Sequence, residues 1–579
     1  MAATITVSPN DAAETPLLLT AAEDTVHGVV DFKGRPIIRS KHGRWRSASF
    51  IIGVELAERI AYYGVTSNLI SYLTGPLGQS TAAAAANVNA WNGVASLLPV
   101  LGAVIADSIL GRYRTIVISS VIYVLALGLL TFLAVLPSSS SLKNTTISKD
   151  LLGSSQSIQN FAVFFALYLI ALGQSGHKPC VQAFGADQFD GQDPEESKSK
   201  SSFFNWWYLG VCLGPLLVVS FLNYIQDNIG WTLGFGIPCI IMMIALVIFL
   251  LGSPTYRYSV KSEERSAFSR IGRVFAAAVR NRNTKQSVID VKEEAQGFYP
   301  SHDSQQLRFL NKALVSPTGS DKTEECSMSE VEEAKAVLRL FPIWVTSIVY
   351  GIVFSQSSTF FTKQGLTMER SIGSSFSVPP SSLQSFISLT IVLFIPIYDR
   401  IFVPTLRSIT GKPAGLTILQ RIATGMFTSI LSMVIAAIVE KKRLTTALEH
   451  GLIDLPNATV PMAVWWLVPQ YVLFGVADVF TMVGLQEFFY DQVPTELRSV
   501  GLSLYLSVFG TGSLLSSLLV SIIDKTTSRN GQDSWFANNL NRAHLDYFYW
   551  LLAGLSTVEI VLFVYFAKSY VYKRNRDTI

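Results

Sequence analysis

The sequence has few charged residues and few cysteines for its length. Asp, Glu, Lys and Arg make up 15% of the 579 residues, whereas soluble proteins contain roughly 25%. Apolar residues make up 49%, and the mean hydropathy is +0.37. These values exclude a string of soluble domains, a disordered chain and a coiled coil, and they predict a membrane protein. The net charge of +4 is too small to indicate a nucleic-acid-binding surface.

The four cysteines lie far apart and have neither metal-ligand spacing nor the spacing of a disulfide framework. They are Cys180, Cys212, Cys239 and Cys326. The N-terminal segment lacks an apolar core followed by a small-residue cleavage site, so we expect no cleavable signal peptide. The sequence therefore predicts neither a metal nor a cofactor, and the first membrane-spanning helix is expected to direct insertion.

Long apolar runs are abundant. A bilayer core about 30 Å thick requires roughly 20 mostly apolar residues per spanning helix. The sequence contains twelve such runs, at 49–74, 88–108, 115–136, 158–178, 203–224, 230–252, 337–361, 379–398, 416–439, 463–486, 499–523 and 546–568. They form two sets of six, which predicts an all-α integral membrane protein with two six-helix halves.

The runs divide the chain into five predicted parts. These are an N-terminal tail not expected to fold, a first bundle, a polar linker, a second bundle and a short C-terminal tail, at 1–48, 49–252, 253–335, 336–568 and 569–579. Within the linker, Phe268 to Val279 has an amphipathic pattern. This segment is predicted either to lie on the membrane surface or to form a solvated helix.

Basic residues predict the orientation. Lys and Arg concentrate before the first helix, in the loops after the second and eighth helices and at the C-terminus, whereas 75–87 carries no charge. Because cytosolic loops are enriched in Lys and Arg, both termini are predicted to be cytosolic. The segment from Glu440 to Arg443 is basic although it falls on the predicted non-cytosolic side, so it contradicts this rule.

The first helix carries ionisable residues at membrane depth. Glu55, Glu58, Arg59, Tyr62 and Tyr63 follow the spacing i, i+3, i+4, i+7 and i+8, which places them on one helix face. Charges in the hydrocarbon region cost at least about 2.5–3.5 kcal/mol and usually mark function. Two carboxylates beside a guanidinium suit proton binding. The alternative is a static ion-pair cluster that fixes helix packing.

Two further charges lie in other apolar runs. Lys178 is in the fourth helix, and Glu55 or Glu58 is its expected partner; His177 beside it is a weaker candidate for a direct role. Asp478 is in the tenth helix and is expected to face the central cavity from the opposite half. A two-half arrangement with such charges is typical of transporters that open to alternate sides.

Several motifs resemble one known family. Glu55-Leu56-Ala57-Glu58-Arg59 followed by Ala61-Tyr62-Tyr63-Gly64 is similar to the ExxER signature of the proton-dependent oligopeptide transporter family, in its plant nitrate/peptide branch. Further segments similar to this branch lie at 102–112, 178–189, 203–208, 398–400 and 486–490. The stretch from Val476 to Phe480 looks most like the fifth subfamily.

This resemblance implies the major facilitator fold and proton symport. It assigns proton coupling to Glu55, Glu58, Arg59 and Lys178. The implied substrate-binding residues are Tyr62, Tyr63, Lys178, Phe354, Gln356 and Asp478. Two departures bear on the substrate: Asp478 is one methylene shorter than the glutamate usual in peptide carriers, and Phe354 stands where the best-known nitrate carrier has a histidine. The first weakens the expectation of peptide binding, and the second means that this residue lends no support to dual-affinity nitrate transport.

The sequence thus predicts a proton-coupled symporter of a small polar or anionic solute, with nitrate first. Di- or tripeptides and hormone or specialised-metabolite anions are the alternatives, and a non-transporting sensor on the same fold is the rival class. An enzyme is not expected, because no catalytic triad order, metal ligand set or nucleotide loop stands out. The expected partners are the solute, protons and the lipid bilayer.

Two short patterns concern regulation and location. Thr115 follows Arg112 and Arg114 and matches a basophilic phosphorylation pattern, although a helix-capping role explains it as well. Glu14 precedes Leu18 and Leu19 with the spacing of an acidic dileucine sorting signal. That signal favours the vacuolar membrane over the plasma membrane.

Overall fold

A computed structural model describes most of the chain as helix. The described residues are 25–136, 149–190, 193–259, 267–282, 307–315, 326–373, 376–411, 416–493, 498–528 and 533–570.

The first half contains eight described helices and three short strands. In chain order they are β1 (Thr25–Val30), β2 (Pro36–Ile38), α1 (Arg44–Thr66), α2 (Leu69–Thr74), α3 (Thr81–Ile105), α4 (Arg112–Val135), α5 (Lys149–Ala186), α6 (Pro194–Leu217), α7 (Asn223–Asn228), α8 (Trp231–Gly252) and β3 (Tyr258–Ser259). Single π-helical turns, Ala106–Leu110 and Val218–Leu222, extend α3 and α6.

The linker and the second half also consist of helices with a few short strands. They contain α9 (Ala267–Arg280), α10 (Met328–Arg339), α11 (Phe341–Val345), α12 (Ile348–Phe354), α13 (Phe360–Leu366), β4 (Met368–Glu369), β5 (Ser371–Ile372), β6 (Phe376–Ser377), α14 (Ser385–Ile397), α15 (Val403–Thr410), α16 (Ile418–Glu449), β7 (Val460–Ala463), α17 (Val468–Asp491), α18 (Arg498–Thr527) and α19 (Leu545–Ser569).

The twelve predicted spans all fall on these helices. Within the described part of the chain, nine helices are long and apolar enough to cross a membrane, and the pair Met328–Val345 and Ile348–Phe354, bent by 51°, raises this to ten. The spans predicted at 49–74 and 203–224 lack such a helix. In α1 the reason is its three central charges, and in α6 it is the polar first turns.

The two halves approach each other on one side of the molecule. We call the side where α1 begins at Arg44 the basic face, and the side where α2 ends at Thr74 the opposite face. Four hydrogen bonds between the halves lie near the opposite face. They are Thr81 N to Asn538 Oδ1 at 2.9 Å, Lys363 Nζ to Thr74 Oγ1 at 2.9 Å, Gln384 Nε2 to Ser67 O at 3.0 Å, and Ser382 Oγ to Val219 O at 2.7 Å. A further one, from Asn89 Nδ2 to Ser516 Oγ at 3.0 Å, lies farther along α3.

Helices α3 and α18 make the closest packing between the halves. A Cβ added at Gly93 would lie 2.9 Å from the backbone oxygen of Gly510, and one added at Gly510 would lie 3.1 Å from the backbone oxygen of Gly93. Backbones approach this closely only where side chains are absent, as in small-residue interfaces of membrane helices. The two glycines therefore permit the halves to meet.

The tail predicted over 1–48 is partly folded. Strand β1 pairs antiparallel with β2, with Thr25 opposite Ile38, and with β3, with Val30 opposite Tyr258. The expectation of an unfolded tail is therefore wrong from Thr25 onward, because the chain after the sixth predicted span supplies a strand partner.

A buried ion-pair cluster links this tail to the basic face. We call Glu196, Arg44 and Arg257 the Glu196 cluster. Glu196 accepts hydrogen bonds from Arg257 Nη1 at 2.7 Å and from Arg44 Nε at 2.9 Å, and both Glu196 and Arg257 are 1% exposed. Burial raises the pKa of Glu196, but hydrogen bonds from Arg257, the Asp190 amide and Arg44 outweigh it and lower the pKa to about 2.

The amphipathic segment of the linker is a helix covered by protein. The apolar residues Val274, Ala277 and Ala278 of α9 pack with Leu310 and Val331. Its polar side pairs with α10, through Arg270 with Glu333 and Arg273 with Glu330. Because its apolar side is already buried, α9 does not present that side to a membrane surface.

The exception to the positive-inside rule has a partial structural explanation. Helix α16 continues to Glu449, well beyond the predicted end at 439. Glu440 and Arg443 are fully buried and form a bidentate pair with distances of 2.7 and 2.9 Å, and Arg443 also donates to Asn541 Oδ1 at 2.8 Å. A paired internal charge does not act as a free loop cation, so Arg443 does not count against the predicted orientation, whereas the exposed Lys441 and Lys442 still do.

Candidate functional site

The first-helix cluster, which is Glu55, Glu58 and Arg59, is buried as the helical spacing predicts. Both glutamates are 0% exposed, and Arg59 is 9% exposed. Arg59 Nε donates to Glu55 Oε1 at 2.7 Å, and Arg59 Nη2 lies 2.6 Å from the same oxygen. Helix geometry explains this pair, because residues four apart lie on the same face.

Glu58 has a weaker bond to the arginine than Glu55 has. Its Oε2 lies 3.5 Å from Arg59 Nε, which is an ion-pair contact but not a hydrogen bond by geometry. Both Glu58 oxygens are buried and accept no hydrogen bond from the residues that the structure describes. One carboxylate of the cluster is thus held by the guanidinium, and the other is available to a proton or another cation.

Lys178 does not pair with either glutamate as the sequence predicts. Its Nζ lies 5.6 Å from the centroid of the Tyr62 ring, a cation–π distance. Among described residues, no carboxylate oxygen lies within 4 Å of this ammonium. The prediction of a Lys178 ion pair is therefore wrong in this conformation, because Arg59 occupies Glu55 and the lysine lies over the tyrosine ring.

The Tyr62 ring that contacts this cation packs against two further aromatic rings. Tyr62 contacts Tyr63 edge-to-face with centroids 5.4 Å apart, and it stacks on Trp91 of α3 at 6.0 Å. Trp91 is fully buried and donates from Nε1 to Leu167 O at 2.7 Å. The sequence does not indicate Trp91, since a tryptophan in an apolar run shows no pattern that separates stacking on Tyr62 from ordinary packing.

His177 is fully buried beside Lys178. Neither ring nitrogen has a hydrogen-bond partner in the described residues, and the same holds for the side-chain amide of Gln174 and the hydroxyl of Tyr123. Together with Glu58 they form a buried polar region between α1, α4 and α5.

Asp478 is buried against another helix. It is 3% exposed, and its Oδ1 accepts a hydrogen bond from the Tyr350 hydroxyl at 2.6 Å. The backbone N–H of Tyr350 in turn donates to Glu559 Oε1 of α19 at 2.8 Å. Asp478 is therefore not isolated, and Tyr350 and Glu559 are partners that no local pattern indicates.

Phe354 and Gln356, the two candidate residues in the seventh predicted span, pack against neighbouring residues of the second half. The Phe354 ring contacts the rings of Phe474 and Phe509, with centroids 6.1 and 5.1 Å apart. Gln356 is 0% exposed and donates to Ile352 O at 2.7 Å and to Ser516 Oγ at 3.0 Å.

Ser516 connects Gln356 to the first half. Its Oγ also accepts from Asn89 Nδ2 of α3 at 3.0 Å, and Asn89 and Ser516 are both fully buried. Gln356 therefore lies next to a contact between the halves rather than with Lys178.

The regulatory candidate Thr115 is 4% exposed, and its hydroxyl donates to Gly111 O at 3.0 Å. This arrangement contradicts the capping alternative, because Gly111 is the N-cap of α4 and the Thr115 hydroxyl donates back one turn instead of accepting a helix N–H. The buried hydroxyl is not accessible to a kinase in this conformation. The sorting residues Glu14, Leu18 and Leu19 lie outside the described residues. Within the described part of the chain, no group of three His, Cys, Asp or Glu residues is arranged to hold a metal ion.

Comparison with known sequences identifies related proteins over the whole length. Residues 113–536 match the family described as PTR2, the POT family. The chain is 61% identical to the protein NRT1/PTR FAMILY 5.10 of Arabidopsis thaliana over 564 residues, which cover 97% of this chain and 98% of that protein. It is 56% identical to NRT1/PTR FAMILY 5.14 of the same plant, over 96% of this chain and 98% of that protein.

The solved structures of similar fold include POT family transporters. An auto-inhibited POT family peptide transporter aligns with a TM-score of 0.69 at 21% identity, covering 92% of this chain and 99% of that chain. The POT family transporter PepTSo aligns with a TM-score of 0.67 at 20% identity, covering 91% and 98%. The chain therefore belongs to the POT family of multi-pass membrane transporters and has the major facilitator fold.

Proposed function

We propose that this protein is a proton-coupled symporter of a small polar or anionic solute, with nitrate as the first candidate. The observation that carries this proposal is the half-buried ammonium of Lys178, which lies over the Tyr62 ring without a carboxylate within 4 Å among described residues. A partly desolvated cation without a counter-ion attracts an anion. Glu58, whose oxygens accept no hydrogen bond from the described residues, is the candidate proton carrier.

Proton and anion binding would support each other at this site. An anion at Lys178 adds negative charge near Glu55 and Glu58, and a like charge favours the protonated form of a carboxylate. A proton on Glu58 in turn removes the negative charge that opposes the anion. This reciprocal effect is the linkage that a symporter requires.

Peptide transport is the second candidate function. The similar solved structures include one titled a POT family peptide transporter, and by the family resemblance Asp478 stands where peptide carriers have a glutamate. Its Oδ1 already accepts the Tyr350 hydroxyl, so this carboxylate is a less available acceptor for the ammonium group of a peptide. We therefore place peptides, and hormone or specialised-metabolite anions, after nitrate.

The positive-inside rule makes the basic face cytosolic. Four hydrogen bonds between the halves then lie on the exoplasmic side, which supports a conformation closed to that side. The acidic dileucine pattern favours the vacuolar membrane over the plasma membrane, and there symport with protons would release solute into the cytosol.

Uptake measurements test the proposal. Nitrate, dipeptides and hormone anions would be supplied to cells or vesicles containing the protein at two external pH values, with the internal pH clamped. We expect nitrate accumulation that rises at the lower external pH and collapses with a protonophore. Flux of no solute in the panel would favour a sensor, and flux independent of pH would overturn the symport proposal.

A further inference from the structure

The break in the seventh span leaves a helix start that its own residues do not cap. Helices α11 and α12 are separated by Thr346 and Ser347, and the two parts of the span are bent by 51°. Helix α12 therefore begins inside the protein, where the first N–H groups of a helix have no partner within that helix. Ser347 occupies the N-cap position, but its hydroxyl donates backward to Ile343 O at 2.8 Å and makes no cap hydrogen bond.

Glu559 of α19 supplies the missing acceptor. Its Oε1 accepts the backbone N–H of Tyr350, the third residue of α12, at 2.8 Å. An N-cap side chain normally bonds the N–H of the second or third helical residue, so Glu559 acts from another helix as Ser347 would locally. Glu559 is 3% exposed, and an acid at this depth is costly unless it has such a role.

Glu559 bonds the backbone N–H of Tyr350, and the side chain of the same Tyr350 contacts Asp478. The Tyr350 hydroxyl donates to Asp478 Oδ1 at 2.6 Å, and the Tyr350 ring stacks on Phe474 at an angle of 5°. One hydrogen bond therefore fixes the start of α12, and the next fixes the carboxylate on α17. The three residues come from three helices of the second half.

We propose that Glu559 is a positioning residue for Asp478, acting through the backbone and phenol of Tyr350. Glu559 performs this role as a hydrogen-bond acceptor at a fixed depth and not as a charge. This inference rests on the proposed function, because it takes Asp478 as part of the solute site.

Two conservative substitutions separate the acceptor from the charge. Glu559→Gln keeps an oxygen at the same reach and removes the charge, so its KM for the transported solute should stay within about twofold of the wild-type value. Glu559→Asp keeps the charge and withdraws the oxygen by one methylene, so its KM should rise about tenfold with little change in maximal rate. Ser556→Ala, one turn away on the same helix and equally buried, is the matched control and should leave KM unchanged.

A double-mutant cycle with Tyr350→Phe tests the route. Tyr350→Phe alone should raise KM as Glu559→Asp does. The KM of the double variant should be no higher than that of Tyr350→Phe, because both changes disturb the contact of the Tyr350 hydroxyl with Asp478. Additive effects would overturn the proposal. So would a larger defect in Glu559→Gln than in Glu559→Asp, which would assign the role to a titrating charge.

Thermal unfolding of the purified variants, measured without solute, gives a second readout. Glu559→Asp should lower the Tm both alone and combined with Tyr350→Phe, because Tyr350→Phe keeps the backbone N–H that Glu559 holds, and Glu559→Gln should not lower it. If the wild type shows pH-independent flux or none, the proposed function fails, but this comparison still decides whether Glu559 acts as the acceptor for Tyr350. A Tm for Glu559→Gln as low as that for Glu559→Asp would refute the positioning role by itself.

Discussion

At the scale of single residues, burial assigns unequal roles to the charges in the first half. Arg59 is committed to Glu55 by contacts of 2.6 and 2.7 Å, whereas Glu58 and Lys178 have no such bond among described residues. A buried ion whose partner is removed costs several kcal/mol. The two uncommitted residues are therefore those whose state a proton or a solute can change.

Glu58→Gln and Lys178→Ala should abolish proton-driven uptake while the protein still reaches the membrane. The first removes the carboxylate that accepts no hydrogen bond from the described residues, and the second removes the anion-attracting ammonium. Uptake against an imposed pH gradient, normalised to membrane abundance, measures both. Lys442→Ala is the control, because that lysine lies over Trp466 at 3.4 Å on the other side of the molecule, and it should have no effect. Full pH-dependent accumulation in both test variants would show that the cluster is structural.

Asp478→Glu should increase dipeptide uptake more than nitrate uptake. The added methylene extends the carboxylate beyond the Tyr350 hydroxyl that now holds it, toward the ammonium group of a peptide. Competition uptake with both solutes in the same cells measures the ratio. Strong dipeptide transport by the wild type would contradict this expectation, since the shorter acid would then suffice.

At the scale of helices, close backbone contact and buried ion pairs determine which elements meet. Gly93 and Gly510 bring α3 against α18, and the Glu196 cluster connects α1, α6 and the chain after α8. Helix α6 begins with an Asp193 cap and Pro194, so its first turn is fixed where Glu196 meets the arginines.

Gly93→Val should reduce the transport rate at least about tenfold, because any Cβ at this position lies 2.9 Å from a backbone oxygen of Gly510. The halves then cannot close on the opposite face. Gly53→Val, on α1 where an added Cβ meets nothing within 4 Å, is the matched control and should retain transport. Normal transport by Gly93→Val would mean that α3 and α18 need not approach this closely.

Glu196→Gln should destabilise the protein by about 3–5 kcal/mol, because Arg257 is then left buried without its counter-ion. The pKa of Glu196 is lowered from 4.5 to about 2. Its stabilisation is therefore complete above pH 4.5 and is lost as the pH falls through about 2, so the deficit should be constant between about pH 5 and 8.

Thermal unfolding at these pH values measures the Glu196→Gln deficit. Arg542→Gln, which removes an exposed pair with Asp454, is the comparison and should lower the Tm much less, because solvent screens the exposed pair. An equal cost for the two substitutions would show that burial of the Glu196 cluster adds nothing.

At the scale of the whole molecule, the halves are joined near the opposite face, and the folded part of the N-terminal tail lies on the basic face. Strand β1 starts at Thr25, only a few residues after Leu19. A sorting signal at Leu18 and Leu19 would thus precede, along the chain, a strand on the side that the basic residues predict to be cytosolic.

Replacing Leu18 and Leu19 by alanine should move a fluorescent fusion from the vacuolar membrane to the plasma membrane and leave transport kinetics unchanged. The physical reason is that adaptors recognise the leucine pair and not the transporter core. Replacing Ile5 and Val7 by alanine removes two apolar residues from the same tail outside the pattern and should not change the location. A wild-type protein at the plasma membrane would rule out vacuolar release.

The sequence alone determined the features that depend on local geometry. Helical periodicity placed Glu55, Glu58 and Arg59 on one face, and the twelve apolar runs all fall on helices, because both follow from residue spacing and bilayer thickness. The family motifs lie in these same segments. Helix ends were less well predicted, as in α16, where a buried pair allows charged residues to continue the helix.

Only the tertiary structure decided which side chains meet between helices. Lys178 lies over Tyr62 instead of pairing with a glutamate, and Tyr350 joins Asp478 and Glu559, which are 128 and 209 residues away along the chain. Such contacts depend on the rotation and depth of each helix relative to its neighbours. Those quantities are set by packing of the whole bundle, and no periodicity within one segment contains them.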